Sequence, residues 1–363
     1  MRFLHIADTH LGFQAYSKLD DTGINQRESD CYSAFNQSMD IAIEEKVDFV
    51  LHAGDLFHKI RPSNRTISQA LAGISKLAQE DIPFLVISGN HSTPRLRETG
   101  SVFRIFDFFP KIHSIYKSRY ETIEMNDCHL HLIPHCISSQ ALLEELHKVK
   151  MKNGKNVLSL HAGIIGIDVF RMGDLNEVLV TPGDINMGAD YVALGHYHKF
   201  TNLFDRVYYS GSTERLSFSE VDGGKGVILV DESTQRFIPL HTRGMVDLAP
   251  IDCDGMDERG VIDSATEKLQ NLDGKIVRLT LRNLDRNVYR TLDFRKIKEL
   301  GKDALHLELR RELQAEKNLL PERSSIGDLG EEIRDFWARR GDKNKNFDAL
   351  LKLALKYLDE GQR

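Results

Sequence analysis

The sequence predicts an α/β domain followed by a small α+β domain and a helical C-terminus. Three observations carry this. Short apolar, β-branched runs recur through the first 200 residues, and each stops on a polar cluster. Amphipathic helical patterns separate several of them, which is the alternation of an α/β domain. After residue 244 the pattern becomes turn-rich and mixed, and then helical. With 363 residues, 41% of them hydrophobic, the chain can fill more than one core, so a predominantly disordered protein is excluded. No apolar run approaches the ~18 residues needed to cross a bilayer. The opening MRFLHIADTH meets Asp8 and His10 too soon for a secretory signal, so an intracellular protein is expected.

Taken in order, RFLHIAD is a buried strand, and Ser33 to Glu45 has helical spacing. VDFVLHAGD is the second strand, Ser63 to Glu80 the next helix, and PFLVISGN the third strand. Helical patterns follow at Arg97 to Phe109 and Ala141 to Lys150, then the strands NVLSLHAG and ADYVALGHYH. RVYYSGSTERLSF and KGVILVDE, parted by the turn-rich EVDGG, read as antiparallel strands closing the domain near residue 240. Residues 245–295 combine a helix, Val261 to Leu272, with the alternating strand KIVRLTLRNL, and carry slightly more acid than base. From about Phe294 the chain reads as helix, broken near Leu320, Pro321 and Gly327. Two short amphipathic helices end it, the first with Ile333, Phe336 and Trp337 on one face, the second with Phe347, Leu350, Leu351, Ala354 and Leu358. Their apolar faces either pack on the rest of the chain or dock on a partner.

The strand-end clusters are Asp8-Thr9-His10, Gly54-Asp55, Gly89-Asn90-His91, His161 and Gly195-His196-Tyr197-His198. Singly, each is as ordinary as a turn or a structural histidine. Together they fall at the carboxyl ends of strands, where α/β sheets collect ligands. Asp8 and His10, like His196 and His198, are two apart, so in extended backbone both members of each pair face one way. The donors are two carboxylates, one amide oxygen and four imidazoles, too many for one tetrahedral ion and suited to two divalent metals bridged by a carboxylate, for which Asp55 is the candidate. Mixed nitrogen and oxygen donors fit manganese, iron or zinc better than calcium. Such a pair implies phosphoester hydrolysis. The four cysteines show no CxxC pairing and are expected as free thiols. With 48 basic and 54 acidic side chains the net charge is −6, which gives no electrostatic hint of nucleic acid.

The series DxH, GD, GNH, H and GHxH, complete and in order over residues 8–198, resembles the calcineurin-like metallophosphoesterases. DTHLG, HAGDLFH, GHYHK and YSGSTER further resemble the Mre11 family of DNA double-strand-break repair nucleases, called SbcD in bacteria, and its archaeal branch most. The resemblance is strong over about residues 1–240 and is one of layout only in the tail. It implies a sandwich of two mixed β-sheets flanked by helices over 1–244. A DNA-binding capping domain over 245–295, a helical linker over 296–330 and a C-terminal helix pair over 331–363 would follow. It also implies two manganese ions, with magnesium, iron or zinc as compatible alternatives. The first would be held by Asp8, His10, Asp55 and His198, the second by Asp55, Asn90, His161 and His196. His91 would contact the scissile phosphate or protonate the leaving oxygen, supported by His58, for which a solvated loop histidine is the alternative. His5, His52 and His135 have no motif role and are expected to be structural. Many family members read GNHD where this chain has Ser92, so the carboxylate that would orient His91 is missing there.

A nuclease must also hold a phosphate backbone, for which Lys18, Lys59, Arg61, Arg65, Arg95 and Arg97 are candidates in loops after the metal motifs; ordinary surface charges are the alternative. The resemblance implies a homodimer through helices near 63–80 and 97–109, where Ile67, Leu71, Ile74 and Leu77, then Val102, Phe103, Ile105 and Phe106, give apolar faces that core packing could equally use. It implies an ABC-type ATPase partner, Rad50 or SbcC, gripped by the C-terminal helices. The expected protein is a manganese-dependent nuclease, a 3′ to 5′ exonuclease on duplex ends and an endonuclease on single strands, in the cytoplasm with the nucleoid. Another calcineurin-like phosphodiesterase or phosphatase, or a DNA-tethering scaffold with weakened catalysis, are the alternatives.

Overall fold

The computed structural model describes residues 1–94, 100–125, 127–166, 177–185, 187–232, 234–314 and Leu353. Residues 1–312 form one compact unit. Along the chain, β1 (Arg2–Ile6), β2 (Phe49–His52), β3 (Phe84–Ile87) and β4 (Ile112–Ile115) lie side by side in parallel. Their crossovers carry α1 (Gln26–Glu44), α2 (Asn64–Gln79) and a 3-10 turn, Val102–Phe108. Side-chain caps start both helices: the Asn25 amide oxygen accepts from Arg27 N and Glu28 N, and Ser63 Oγ from Thr66 N at 3.2 Å.

A second sheet begins with the hairpin β5 (Glu121–Met125) and β6 (Cys128–Ile133), crosses through α3 (Ser139–Leu146) to β7 (Lys155–His161), and runs parallel from there to β10 (Tyr191–Gly195). Between them lie the pair β8 (Gly163–Ile164) and β9 (Leu179–Val180) and the turn of helix α4 (Pro182–Ile185). β11 (Thr201–Phe204) and β12 (Val207–Tyr209) complete the sheet in the order β11-β12-β10-β7-β6-β5. The chain then returns to the first sheet with β13 (Gly226–Asp231) and β14 (Thr234–Pro239), giving β14-β13-β1-β2-β3-β4.

The strands are apolar on both faces because both faces are covered. Phe3, Phe49, Leu51, Leu85 and Ile87 meet Leu130, Leu132, Val157, Tyr191 and Ala193 between the sheets. Leu4, Ile6, Val50, Phe84 and Val86 pack outward under α1 and α2 with Phe35, Ile74, Leu77, Phe103 and Phe106, and a third cluster lies beneath α3 and α4. Four of the eight apolar residues expected on a dimer face, Ile74, Leu77, Phe103 and Phe106, are therefore core residues.

The last described part is a four-stranded sheet. β15 (Met245–Asp247) and β16 (Ile251–Asp252) both pair in parallel with β17 (Ile276–Leu284), and α5 (Glu258–Lys268), α6 (Arg286–Thr291) and α7 (Phe294–Leu300) accompany them. β18 (His306–Leu313) also pairs with β17. Three expectations change. RVYYSG and KGVILVD are not partners: β12 runs parallel to β10, whereas β13 is antiparallel to β1 in the other sheet. The described part of Arg97 to Phe109 is a 3-10 turn that buries Phe103 and Phe106. Within 296–330, residues 306–313 are a strand and not helix, because Leu307 and Leu309 pack on the core of the small sheet and Glu308 pairs with Arg278 of β17 at 3.1 Å. The C-terminal helix pair, Leu353 apart, lies outside the described residues.

Candidate metal centre

Every strand that supplies a donor ends at the same place. After β1 and β2 the backbone is cross-tied, with Asp8 N on the Gly54 carbonyl and His10 N on the Asp55 carbonyl, both at 3.0 Å. Asp8, His10 and Asp55 have φ of 52°, 46° and 54°, and His196 of 105°, a left-handed set that L-residues adopt at a cost the surrounding fold must impose. Two glycines permit the close approach: a Cβ at Gly89 would sit 2.2 Å from Asp55 Oδ1, and one at Gly195 2.0 Å from the Ala53 carbonyl oxygen.

Six of the seven expected donors, Asp8, His10, Asp55, Asn90, His161 and His198, lie together, and His196 reaches them through its backbone N and a ring contact. Ligand atoms of Asp8, His10 and His198 lie within 4.8 Å of one another, as do those of Asp8, Asp55 and His161. His10 Nε2 and His198 Nε2 are 3.2 Å apart. His161 Nε2 lies 2.9 Å from Asn90 Oδ1 and 3.2 Å from Asp55 Oδ2, while its Nδ1 donates to the Ala53 carbonyl at 2.9 Å. His196 N donates to the Asp8 carboxylate at 3.0 Å, and the rings of His196 and His161 are 5.3 Å apart. Asp8, His10, Asp55 and His161 are wholly buried. Burial pushes the Asp8 carboxyl up. It also works against the charge on Asp55, but His161 overrides it and holds that carboxyl well below its usual range. Burial likewise disfavours charge on His161, yet the Asp55 carboxylate raises it to about 9. Two buried carboxylates and imidazole lone pairs aimed at one another are a donor set that fits divalent cations.

His91 and His58 sit at the rim of this cluster. His91 N donates to Asp55 Oδ1 at 3.0 Å, and His91 Nδ1 to the His58 carbonyl at 3.1 Å. The two rings stack at 5.2 Å, and His58 Nδ1 faces His10 Nδ1 at 3.3 Å. The missing carboxylate is thus replaced by a backbone carbonyl that fixes the His91 ring, and Ser92 is buried with no hydrogen-bond partner for its hydroxyl among the described residues. His5 shares a hydrogen bond with Tyr191 Oη across the sandwich, and His52 with Thr9 Oγ1, both at 2.9 Å. His135 presents a buried Nδ1 without a partner among the described residues.

Two residues that no spacing marked belong to the site. Glu177 Oε1 accepts from His196 Nε2, and Glu220 Oε1 from His198 Nδ1, each at 3.0 Å. Glu177 lies in a loop and Glu220 in the 3-10 turn Phe218–Glu220, at separations of 19 and 22 residues from their histidines, where no periodicity could have flagged them. Of the basic candidates, Lys18, Lys59, Arg61 and Arg65 are exposed. Lys59 and Arg61 line a cleft of about 190 Å³ with Leu11, Gly12, Gln14 and Ser63, and Arg65 lies 4.0 Å from Glu28. Arg95 and Arg97 lie outside the described residues.

Comparison with known proteins decides the family. The profile of the calcineurin-like phosphoesterases matches residues 1–200. The chain belongs to this family. Among calcineurin-like phosphoesterases it is similar to archaeal proteins named DNA double-strand break repair protein Mre11. It is 31% identical to that of Thermoplasma acidophilum over 74% of this chain and 72% of the other. With that of Sulfolobus acidocaldarius it shares 30% identity over 74% and 71%. With that of Sulfurisphaera tokodaii it shares 32% over 64% and 60%. These matches place the chain in the Mre11 branch of the calcineurin-like phosphoesterases, with the divalent-metal chemistry of that family.

Proposed function

We propose that this chain is a manganese-dependent DNA nuclease of double-strand-break repair, a 3′ to 5′ exonuclease on duplex ends and an endonuclease on single strands. The observation that carries the reading is the cluster of Asp8, His10, Asp55, Asn90, His161 and His198, with His91 held at its rim, in a chain of the Mre11 branch. Asp8, His10, Asp55 and His198 would hold one ion, and Asp55, Asn90, His161 and His196 the other. Divalent ions held there would supply Lewis-acid chemistry, lowering the pKa of a water and neutralising charge on the phosphate. With Nδ1 occupied by the His58 carbonyl, His91 keeps Nε2 for the scissile phosphate and, when protonated, for the leaving oxygen. Lys18, Lys59, Arg61 and Arg65 hold the DNA backbone, and Arg95 and Arg97, outside the described residues, are further candidates for the same role.

Residues 1–244 act as the nuclease domain and 245–295, with β18 added, as a cap over the DNA. The segment 331–363 binds an ABC-type ATPase. A homodimer uses the surface around Phe108, which is 83% exposed and borders a cleft of about 540 Å³ with Ile67, Val102 and Ile105. No helix among the described residues is long and apolar enough to cross a membrane, in keeping with work at the nucleoid in the cytoplasm.

The test is degradation of a 3′-labelled linear duplex with manganese, beside Asp55→Asn and a nitrophenyl phosphate monoester. Metal-dependent loss of label, absent in the variant and without brisk monoester turnover, is expected. Brisk monoester hydrolysis with intact DNA would move the chain to a phosphatase, and DNA binding without cleavage to a tethering scaffold.

A further inference from the structure

The 3-10 turn Phe218–Glu220 carries two side chains with different neighbours. Glu220 turns inward. One carboxylate oxygen accepts from His198 Nδ1 at 3.0 Å; the other accepts from Ser212 Oγ at 3.1 Å and from Lys225 Nζ. The Lys225 ammonium also donates to the His198 carbonyl at 2.7 Å and to Ser212 Oγ at 2.6 Å. The side chains of Glu220 and Lys225 are 10% and 3% exposed, so this is a buried ion pair with its partners filled. It grips His198 twice, at the ring and at the main chain. With Nδ1–H committed to Glu220, the lone pair of His198 must be on Nε2, the atom that faces His10 Nε2.

Phe218 turns the other way. It packs with Met245, Ile276 and Leu305 of the small sheet and its edges, and the Arg278 guanidinium lies over its ring at 3.9 Å. Met245 and Ile276 are themselves register partners of β15 and β17. Two residues of one turn therefore join the α+β part of the molecule to a donor of the metal centre.

We propose that Glu220 is a positioning residue that fixes the tautomer and aim of His198, and that the seat of the cap on Phe218 holds Glu220 in place. The inference rests on the metal-centre reading above. A displacement of the cap is then felt first at the ion held by His198, and cap position and cation affinity are coupled through this turn.

The experiment titrates the full metal-free chain with Mn2+, following free Mn2+ by electron paramagnetic resonance, with the thermal midpoint of each metal-free protein as the folding control. Glu220→Gln strands the Lys225 ammonium, so the double variant Glu220→Gln/Lys225→Met, which removes both charges, is measured with it. Loss of the carboxylate should weaken Mn2+ binding about 10- to 100-fold, with Glu220→Asp recovering part of it. Phe218→Ala should weaken it in the same direction by a smaller factor. In 15N-histidine spectra the Nδ1–H signal of His198 should shift and broaden in the glutamine variants, whose amide oxygen is a weaker acceptor than the carboxylate. Folded Glu220 variants that bind Mn2+ like the parent would overturn the positioning role, and unchanged affinity in Phe218→Ala would overturn the link to the cap. Asp55→Asn separates the two readings: if it too bound Mn2+ normally, the metal centre itself would be misassigned.

Discussion

Asp55 ties several parts of the centre together: Oδ2 faces His161 at 3.2 Å and His10 at 3.9 Å, and Oδ1 holds the backbone of His91. Asp55→Asn keeps the shape and the hydrogen bond from His91 but removes the charge. Phosphodiester hydrolysis should therefore fall about a thousandfold or more, as loss of several kcal/mol of metal-dependent stabilisation demands, while circular dichroism stays unchanged. His5 makes a different kind of prediction. Burial, against a backbone contact with Leu194, pulls its pKa down to about 3, whereas in the unfolded chain it titrates near 6.5. Between those values the unfolded chain binds the extra proton, so this contribution is whole above pH 6.5 and is lost as the pH falls toward 3. At pH 5.5 the loss is on the order of 1 kcal/mol. His5→Gln should remove that slope, as read by urea midpoints at pH 7.5 and 5.5; a slope equal to the parent's would contradict it. The candidate donors were legible because short motifs place them, Asp8 two residues from His10 and His196 two from His198. Glu177 and Glu220 were not, since a carboxylate behind a histidine is fixed by tertiary contact alone.

Among the elements, those with one dominant period were readable. β1, β2, β3, β7 and β10 are continuous apolar runs because helices or the opposite sheet cover both faces. β5 and β6 were missed: ETIEM is half-exposed, and CHLHLI carries two histidines, the partly exposed His129 and the buried His131, that break the apolar run. β18 misled by composition, because HLELRREL is built of good helix formers and only the neighbouring β17 makes it a strand. If β17 organises that part of the molecule as its central position implies, Leu281→Ala, at a wholly buried site, should cost about 2–5 kcal/mol in chemical denaturation. A loss below 1 kcal/mol would mean the small sheet relaxes around the gap.

At the scale of the molecule, the join between the sandwich and the α+β part is chemically specific. Tyr16 stacks on His306 at 3.9 Å, and Arg243 binds Asp30 of α1 at 2.6 Å and the Gly274 carbonyl at 2.7 Å. Neither contact involves the tail. Deleting residues 331–363 should therefore leave intrinsic cleavage intact and abolish co-purification with the ATPase; retained binding would move the docking site elsewhere. The two-layer plan and the metal centre could be foreseen from the chain, but the exchange of β12 and β13 between sheets could not, because both strands are apolar and only the sandwich decides where each pairs. The origin of the donors has a last consequence. Asp8, Asp55 and Asn90 come from strands of one sheet and His161, His196 and His198 from the other, up to 190 residues apart along the chain. An ion bound between them rivets the layers together, and at a hundred times its Kd should add about 2.7 kcal/mol to the native state, read as a rise in melting temperature with added Mn2+. A chain still emerging from synthesis holds only the donors of the first sheet, and the set is complete only once β10 and the GHYH turn after it have been made.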